Sequence, residues 1–525
     1  MVFTSYEFIL VFLPIVLTIV LGLSALRFRP AAKAALFAAS IVFYAWWSVT
    51  YTLFLLGILT FNFVVARWLI RSRDSGGSEG GRRIVFVVGL IANIAALVWF
   101  KYTAFLVGEI THLFGREVRL DPMLLPLGIS FIVFQKIALL ADAYGGEIKR
   151  FGVLDYGLFV SFFPQLISGP IVHHREVIPQ FESPNSLRYS RRVVPVAIMF
   201  IVIGAVKKVL IADQLSPHVA LAFDSGGHAP AFFGAWMGAL AFTLQVYFDF
   251  SGYSDLAIGL GLLFGIRLPL NFNSPLKATG PIDYWTRWHI SLTRFLTAYI
   301  YNPLVVRATR RRMSSGREIM IDGVMSRAAF FSLLLIPTMI TMLVAGAWHG
   351  AGFQFAVFGL VHGGYLVANH AWRNLRASSG PLEDPTVVTT VICRAAMLAA
   401  AVIAIPFFRA GSVHDGWAMV KSMLGAHGFA INAFAHDHEF LFLVGAFFVI
   451  SQVLPNSYEL LREQLDRVTT PLERHPGEQA VGSDAWSWPR VSWKPTIAWA
   501  IVTALAAWYV MLRIAKPQEF LYFQF

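Results

Sequence analysis

Three histidines, His289, His349 and His362, fall in or beside apolar segments between Asp283 and Tyr365. An ionisable side chain at membrane depth is expensive, and it usually marks a path or a reaction. Burial favours neutral imidazole, which can take a proton from a hydroxyl as that hydroxyl attacks an activated ester. His349 lies in Trp-His-Gly on a glycine-rich segment, and His289 lies in Arg-Trp-His-Ile-Ser, 60 residues earlier on a different element. Two helices packed side by side would bring the rings together, with His349 as the chemical residue and His289 as its partner. His362 follows His349 by 13 residues, about 220° around a continuous helix, so it is expected to face away and to be secondary. Gly346, Gly350, Gly352, Gly359, Gly363 and Gly364 permit close backbone approach or a helix break.

The container for these residues is a membrane. Of 525 residues, 57% are hydrophobic and only 14% charged, against roughly 25% charged in a soluble domain. The 46 phenylalanines and 15 tryptophans suit lipid contact and interfacial belts. A formal charge of +12 is read as cytoplasmic-loop Lys/Arg rather than a nucleic-acid surface. The single cysteine, Cys393, excludes internal disulfides and any multi-cysteine metal site.

The expected fold is all-α and polytopic, with about eleven spans of bilayer length plus re-entrant or short helices around a central funnel or tunnel. The first apolar run has no basic n-region and reads as a spanning helix with its N-terminus outside, not a cleavable signal. Residues 1–120 form an N-terminal helical group, 121–372 a core carrying the histidines, and 373–525 a C-terminal group with a polar loop at 456–494. Within the core, Pro126, Gly128, Gln135, Lys136 and Asp142 interrupt one apolar run, and Pro164, Gln165, Gly169 and Pro170 another. Broken helices at membrane depth must be covered by protein or line a water-filled cavity. Gln245 and Asp249 share one helix face, as do Ser251 and Asp255, but the two acids do not share one. They are read as structural acids satisfied by nearby Tyr, Ser and Arg groups, with proton carriage as the alternative. Arg307, Arg310, Arg311, Arg312 and Arg317 place their loop in the cytoplasm, with RWHIS near that side, and could hold an anionic nucleotide handle.

The motifs TSYEFILVFLP, PLGISFIVFQ, FPQLISGPI, QVYFDFSGYSDLAIG, FGIRLPLNFNSP, YWTRWHISL, WHGA and FLYFQF together resemble the membrane-bound O-acyltransferase family, in its bacterial alginate O-acetylation branch. The resemblance runs from near residue 3 to 365, with the tail motif besides. It implies a helical bundle around a funnel, in a bacterial inner membrane, with acyl-CoA reached from the cytoplasm as co-substrate and no permanently bound cofactor or metal. It carries the family's catalytic histidine onto His349 and its upstream partner position onto His289. Trp285, Arg287, Trp288, Ser291, Gln245, Tyr247, Asp249, Trp348 and His362 become candidate substrate-binding residues, and Arg307, Arg310, Arg311 and Arg312 candidate CoA-binding ones. The implied reaction moves an acetyl or other short acyl group towards a hydroxyl of an exported polysaccharide, with a periplasmic SGNH-type acetyltransferase as a partner and no nucleic acid. TAYIYNPLVV stands where that branch reads RDYLYIPLGG, which leaves acceptor identity and partner docking open. Two rivals stand beside this reading: a transporter or flippase using the intramembrane Asp and His residues, and acyl transfer from a carrier-protein thioester, as in D-alanylation.

Overall fold

In a bilayer every backbone N–H and C=O must find a partner within its own segment, which leaves the helix as the natural solution for a chain this apolar. The computed structural model describes all residues except 117, 119, 121–122, 185, 224–229, 322–323, 378–385, 431–437, 469–491, 515–520 and 522–525. Among the described residues the only strands are Met320–Ile321 and Val324–Met325, paired antiparallel with Met320 opposite Met325. The protein is an all-α, multi-pass membrane protein. Seven described helices are long and apolar enough to cross a membrane: Glu7–Ala25, Val49–Asp74, Glu79–Leu113, Val193–Phe223, Arg327–His349, Val387–Arg409 and His438–Val468. The figure of about eleven also counts shorter segments, such as Arg29–Ala45 and Ile497–Arg513. The polar loop expected from 456 begins as the helix Ser457–Val468, and its residues 469–491 lie outside the described set.

The interrupted segments are packed in protein. Residues 156–172, which include the short helices Val153–Ser161 (in part) and Phe163–Leu166, are buried throughout. The break between them is stitched by Gln135 and Gln165, whose Nε2 atoms both donate to the Phe159 carbonyl at 2.8 and 2.6 Å. At the middle of the bundle runs Phe232–Leu263, buried at every residue from Ala241 to Leu262. A helix apolar all round can satisfy itself only by being surrounded.

Its two acids are ion-paired. Asp255 meets Lys207 Nζ at 2.7 Å and accepts from Ser457 Oγ at 2.7 Å. Asp249 meets Lys208 Nζ at 2.6 Å and accepts from the Leu521 N–H at 3.0 Å. The structural reading of these acids holds, but the expected tyrosine and arginine partners are replaced by lysines. Lys207 and Lys208 lie in a π-helical turn, Val206–Ala212, and as neighbours they point in different directions, each reaching a different acid. Lys207→Met, which strands a buried carboxylate, should cost about 3–5 kcal/mol, read as a lowered unfolding midpoint in detergent. Adding Asp255→Asn should recover most of the loss, whereas an undisturbed midpoint in the single variant would contradict the pairing.

Candidate active site

His349 ends the helix Ile336–His349, and the chain turns through Gly350–Gly352 into Phe353–Ala377. The two helices run back along each other at a separation only glycine allows. A Cβ on Gly346 would sit 2.2 Å from the Phe355 carbonyl oxygen, and one on Gly359 2.1 Å from that of Met342. Because the helix breaks directly after His349, the continuous-helix argument for His362 fails. The reversal brings His362 back towards its predecessor, and Phe358 touches both rings, at 4.6 Å from His362 and 6.4 Å from His349. His362 also stacks on Tyr284 at 5.9 Å and meets Trp285 edge-on at 5.4 Å. His362 Nδ1 and Trp285 Nε1 are both buried without a hydrogen-bond partner.

The last carbonyls of a helix lack partners within it and carry the negative end of its dipole. Here a lysine from a distant helix supplies the cap: Lys101 Nζ donates to the carbonyls of Trp348 and His349, both at 2.7 Å. Tyr102 donates to the Ala347 carbonyl beside it.

His289 is wholly buried and sits in the left-handed region, φ 43° and ψ 53°, just before the short helix Ile290–Leu296. A non-glycine residue there is strained unless its surroundings hold it. Asn271 does so. Its backbone carbonyl accepts from the Ile290 N–H at 2.9 Å. Its Oδ1 lies 3.1 Å from His289 Nδ1 and accepts from both the N–H and the hydroxyl of Ser291. A carbonyl oxygen can only accept, so His289 carries its proton on Nδ1 and presents a lone pair on Nε2. That Nε2 is buried with no hydrogen-bond partner.

Trp348 joins the two imidazoles, 5.9 Å from the His289 ring and 4.8 Å from the His349 ring. A small pocket of about 30 Å³ reaches His349 and Trp348, lined also by Lys101, Ser130, Phe131 and Ser168. Helical residues run on from Ile290 to Ser314, so Arg307 lies 18 residues from His289, about 27 Å along that stretch.

The remaining candidates divide. Trp285, Trp288 and His362 share the aromatic cluster around Tyr284, Ser291 is in the Asn271 network, and Trp348 bridges the pair. Arg287 is ion-paired with Asp283 at 2.6 Å. Tyr247 tilts against Trp288 at 6.5 Å, while the Gln245 Oε1 is buried without a partner. Asp249 belongs to the lysine pair described above. Arg307, Arg310 and Arg311 are exposed on Asn302–Ser314, and Arg312 is buried, donating to the Glu318 carbonyl at 2.7 Å. The structure does not bring these arginines to the histidines.

The model of the membrane-bound O-acyltransferase family matches residues 91–317. The chain is 34% identical to a peptidoglycan O-acetyltransferase of Helicobacter pylori over 459 residues, 82% of this chain and 81% of that protein. The chain belongs to the membrane-bound O-acyltransferase family. This acyltransferase is also 34% identical to the probable alginate O-acetylase AlgI of Pseudomonas aeruginosa, over 81% of its own length and 75% of the relative's. A teichoic acid D-alanyltransferase of Streptococcus thermophilus is 28% identical over 47% of this chain and 57% of its own. Membership makes the protein an O-acyltransferase.

Two residues that sequence reasoning missed hold the site: Asn271, present only inside the NFNSP motif, and Lys101, signalled by a lone cation in an apolar run. Lys101→Met should leave the carbonyls of Trp348 and His349 buried and unpaired, at about 1–3 kcal/mol. The expected readout is a lower unfolding midpoint, and an unchanged midpoint would contradict the cap.

Proposed function

We propose that this acyltransferase moves an acetyl, or other short acyl, group from cytoplasmic acyl-CoA towards a hydroxyl of an exported or cell-surface polysaccharide, across a bacterial inner membrane. The observation that carries the reading is the pair His289 and His349 meeting on either side of Trp348, with a cleft reaching His349. The donor would arrive from the end marked by Arg307, Arg310 and Arg311, its anionic handle held there and its thioester extended to the pair. The names of the relatives favour a polysaccharide acceptor, since alginate and peptidoglycan both offer sugar hydroxyls. A periplasmic SGNH-type acetyltransferase is the partner that would complete delivery.

In the transfer, His349 takes the hydroxyl proton as the oxygen attacks the thioester carbon, and the C–S bond breaks with departure of the CoA thiolate. A partner histidine can serve either the acyl carbonyl, as a donor, or the nucleophile, as an acceptor. The His289 Nδ1–H is committed to Asn271, and Nε2 has only a lone pair to offer. It therefore suits orienting the incoming hydroxyl, not stabilising an oxyanion. Trp285, Trp288, Trp348 and His362 would wall the acyl and acceptor groups.

The test is transfer of labelled acetyl from acetyl-CoA by purified protein. His349→Ala should abolish transfer while the elution profile stays that of wild type, and His289→Ala should lower kcat about 10²-fold through lost orientation. A folded and active His349→Ala variant would refute the assignment. Free CoA should compete for donor binding; absence of competition would favour a carrier-protein thioester as donor.

A further inference from the structure

A second cluster of ligating side chains lies outside the histidine pair. Asp142 stands in the last turn of Ile129–Gly145, and His173 and His174 lie at the start of His174–Glu182. One ligand atom from each of the three residues can be chosen so that all lie within 4.8 Å of one another. The surrounding termini carry Arg73, Arg82, Lys149, Arg150 and Arg175, which sets the cluster on the basic side of the molecule.

One member of the cluster stands outside its hydrogen bonds. His174 is 8% exposed, and its Nδ1 lies 3.0 Å from Asp142 Oδ2, yet that nitrogen has no hydrogen-bond partner. A buried imidazole N–H beside a carboxylate normally turns onto it. Two ligands of one ion aim instead at a common point, and with bonds of about 2.0–2.1 Å their atoms stand about 3.3 Å apart in a tetrahedral site. His173 Nδ1 is 3.5 Å from the same oxygen.

Tyr299 sharpens the case. Its hydroxyl lies 2.9 Å from both Asp142 oxygens and 2.9 Å from His173 Nε2. The one phenolic proton goes to the carboxylate, so His173 donates from Nε2–H to the phenol oxygen. In the neutral ring this leaves the Nδ1 lone pair facing Asp142, an arrangement that a cation between them would make favourable. A metal-bound histidine whose second nitrogen is hydrogen-bonded, beside a carboxylate that is itself hydrogen-bonded, is the usual outer-shell pattern. Glu176 is engaged otherwise, accepting from the His173 N–H and pairing with Arg294.

We propose that Asp142, His173 and His174 bind one divalent transition-metal ion, zinc by its nitrogen and oxygen donors, with Tyr299 orienting the first two. The ion is a structural clamp, not part of the transfer chemistry. It ties together three elements that wall the histidine pair. Phe134, eight residues before Asp142 on the same helix, stacks on Trp348 at 5.4 Å and 17°. Ile171, two residues before His173, donates its N–H to Ser291 Oγ at 3.0 Å, the hydroxyl bound to Asn271. Tyr299 follows Phe295, whose ring stacks on Phe134 at 4.4 Å.

The experiment is elemental analysis of the full-length protein, purified in detergent through a tag free of histidine and without chelator. Wild type should carry about one zinc per chain, and Asp142→Asn and His174→Ala at least tenfold less. Cobalt(II) added to the stripped wild type should give a saturable visible absorption band that the variants lack. Because a variant could fail to fold, the wild type supplies its own control: chelation should lower its unfolding midpoint and zinc should restore it. Wild type with no metal and no saturable cobalt band would overturn the proposal and leave a metal-free histidine–carboxylate cluster. Equal metal in wild type and folded variants would overturn it as an adventitious ion only. Neither result bears on acetyl transfer by His349, which is measured separately.

Discussion

One oxygen, Asn271 Oδ1, fixes what the buried histidine of the upstream motif can do. Imidazole offers one donor and one acceptor when neutral, and a buried ring takes whichever tautomer its neighbours impose. Asn271 receives His289 Nδ1–H together with two donors from Ser291, so Nε2 is left as a base. The same contacts hold His289 in the left-handed backbone region and lay Ser291 against the Ile171 N–H. Tautomer, backbone strain and the packing of the interrupted segment are thus one local arrangement. Loosening it would release all three.

Around that point the architecture is organised by glycine and by capping. The hairpin of Ile336–His349 and Phe353–Ala377 can close only because Gly346 and Gly359 let backbone meet backbone. Closure ends the first helix at His349, with its terminal carbonyls exposed inside the protein, where Lys101 takes them. The His349 ring is packed among Trp348, Phe358 and Phe408 and lines the pocket beside Lys101. The central helix contributes no such end. Its acids are neutralised by Lys207 and Lys208, and it serves as the post against which the rest is packed.

Much of this was legible in the sequence because membrane burial leaves strong signals. Long apolar runs, prolines inside them and arginines beside them follow from the chemistry of the bilayer, and the helices appear where those signals placed them. The glycines around His349 announced either a close approach or a break, and both occur. His362 was misplaced because angular spacing has meaning only along an unbroken helix, and one extended residue, Gly350, resets it. The lysine partners of Asp249 and Asp255 were missed because they come from another helix, 41 and 48 residues earlier in the chain. Asn271, Lys101 and the cluster of Asp142 with His173 and His174 were missed for a shared reason. Each is joined to its partners across chain separations that no local pattern encodes.

The central claim is that a thioester entering from the basic end reaches two imidazoles that meet at Trp348. The most direct measurement is a structure with a non-hydrolysable acetyl-CoA analogue bound. The account predicts the nucleotide against Arg307, Arg310 and Arg311, and the acyl carbonyl carbon beside the space between His289 and His349. An analogue bound with its reactive carbon remote from both rings would contradict it.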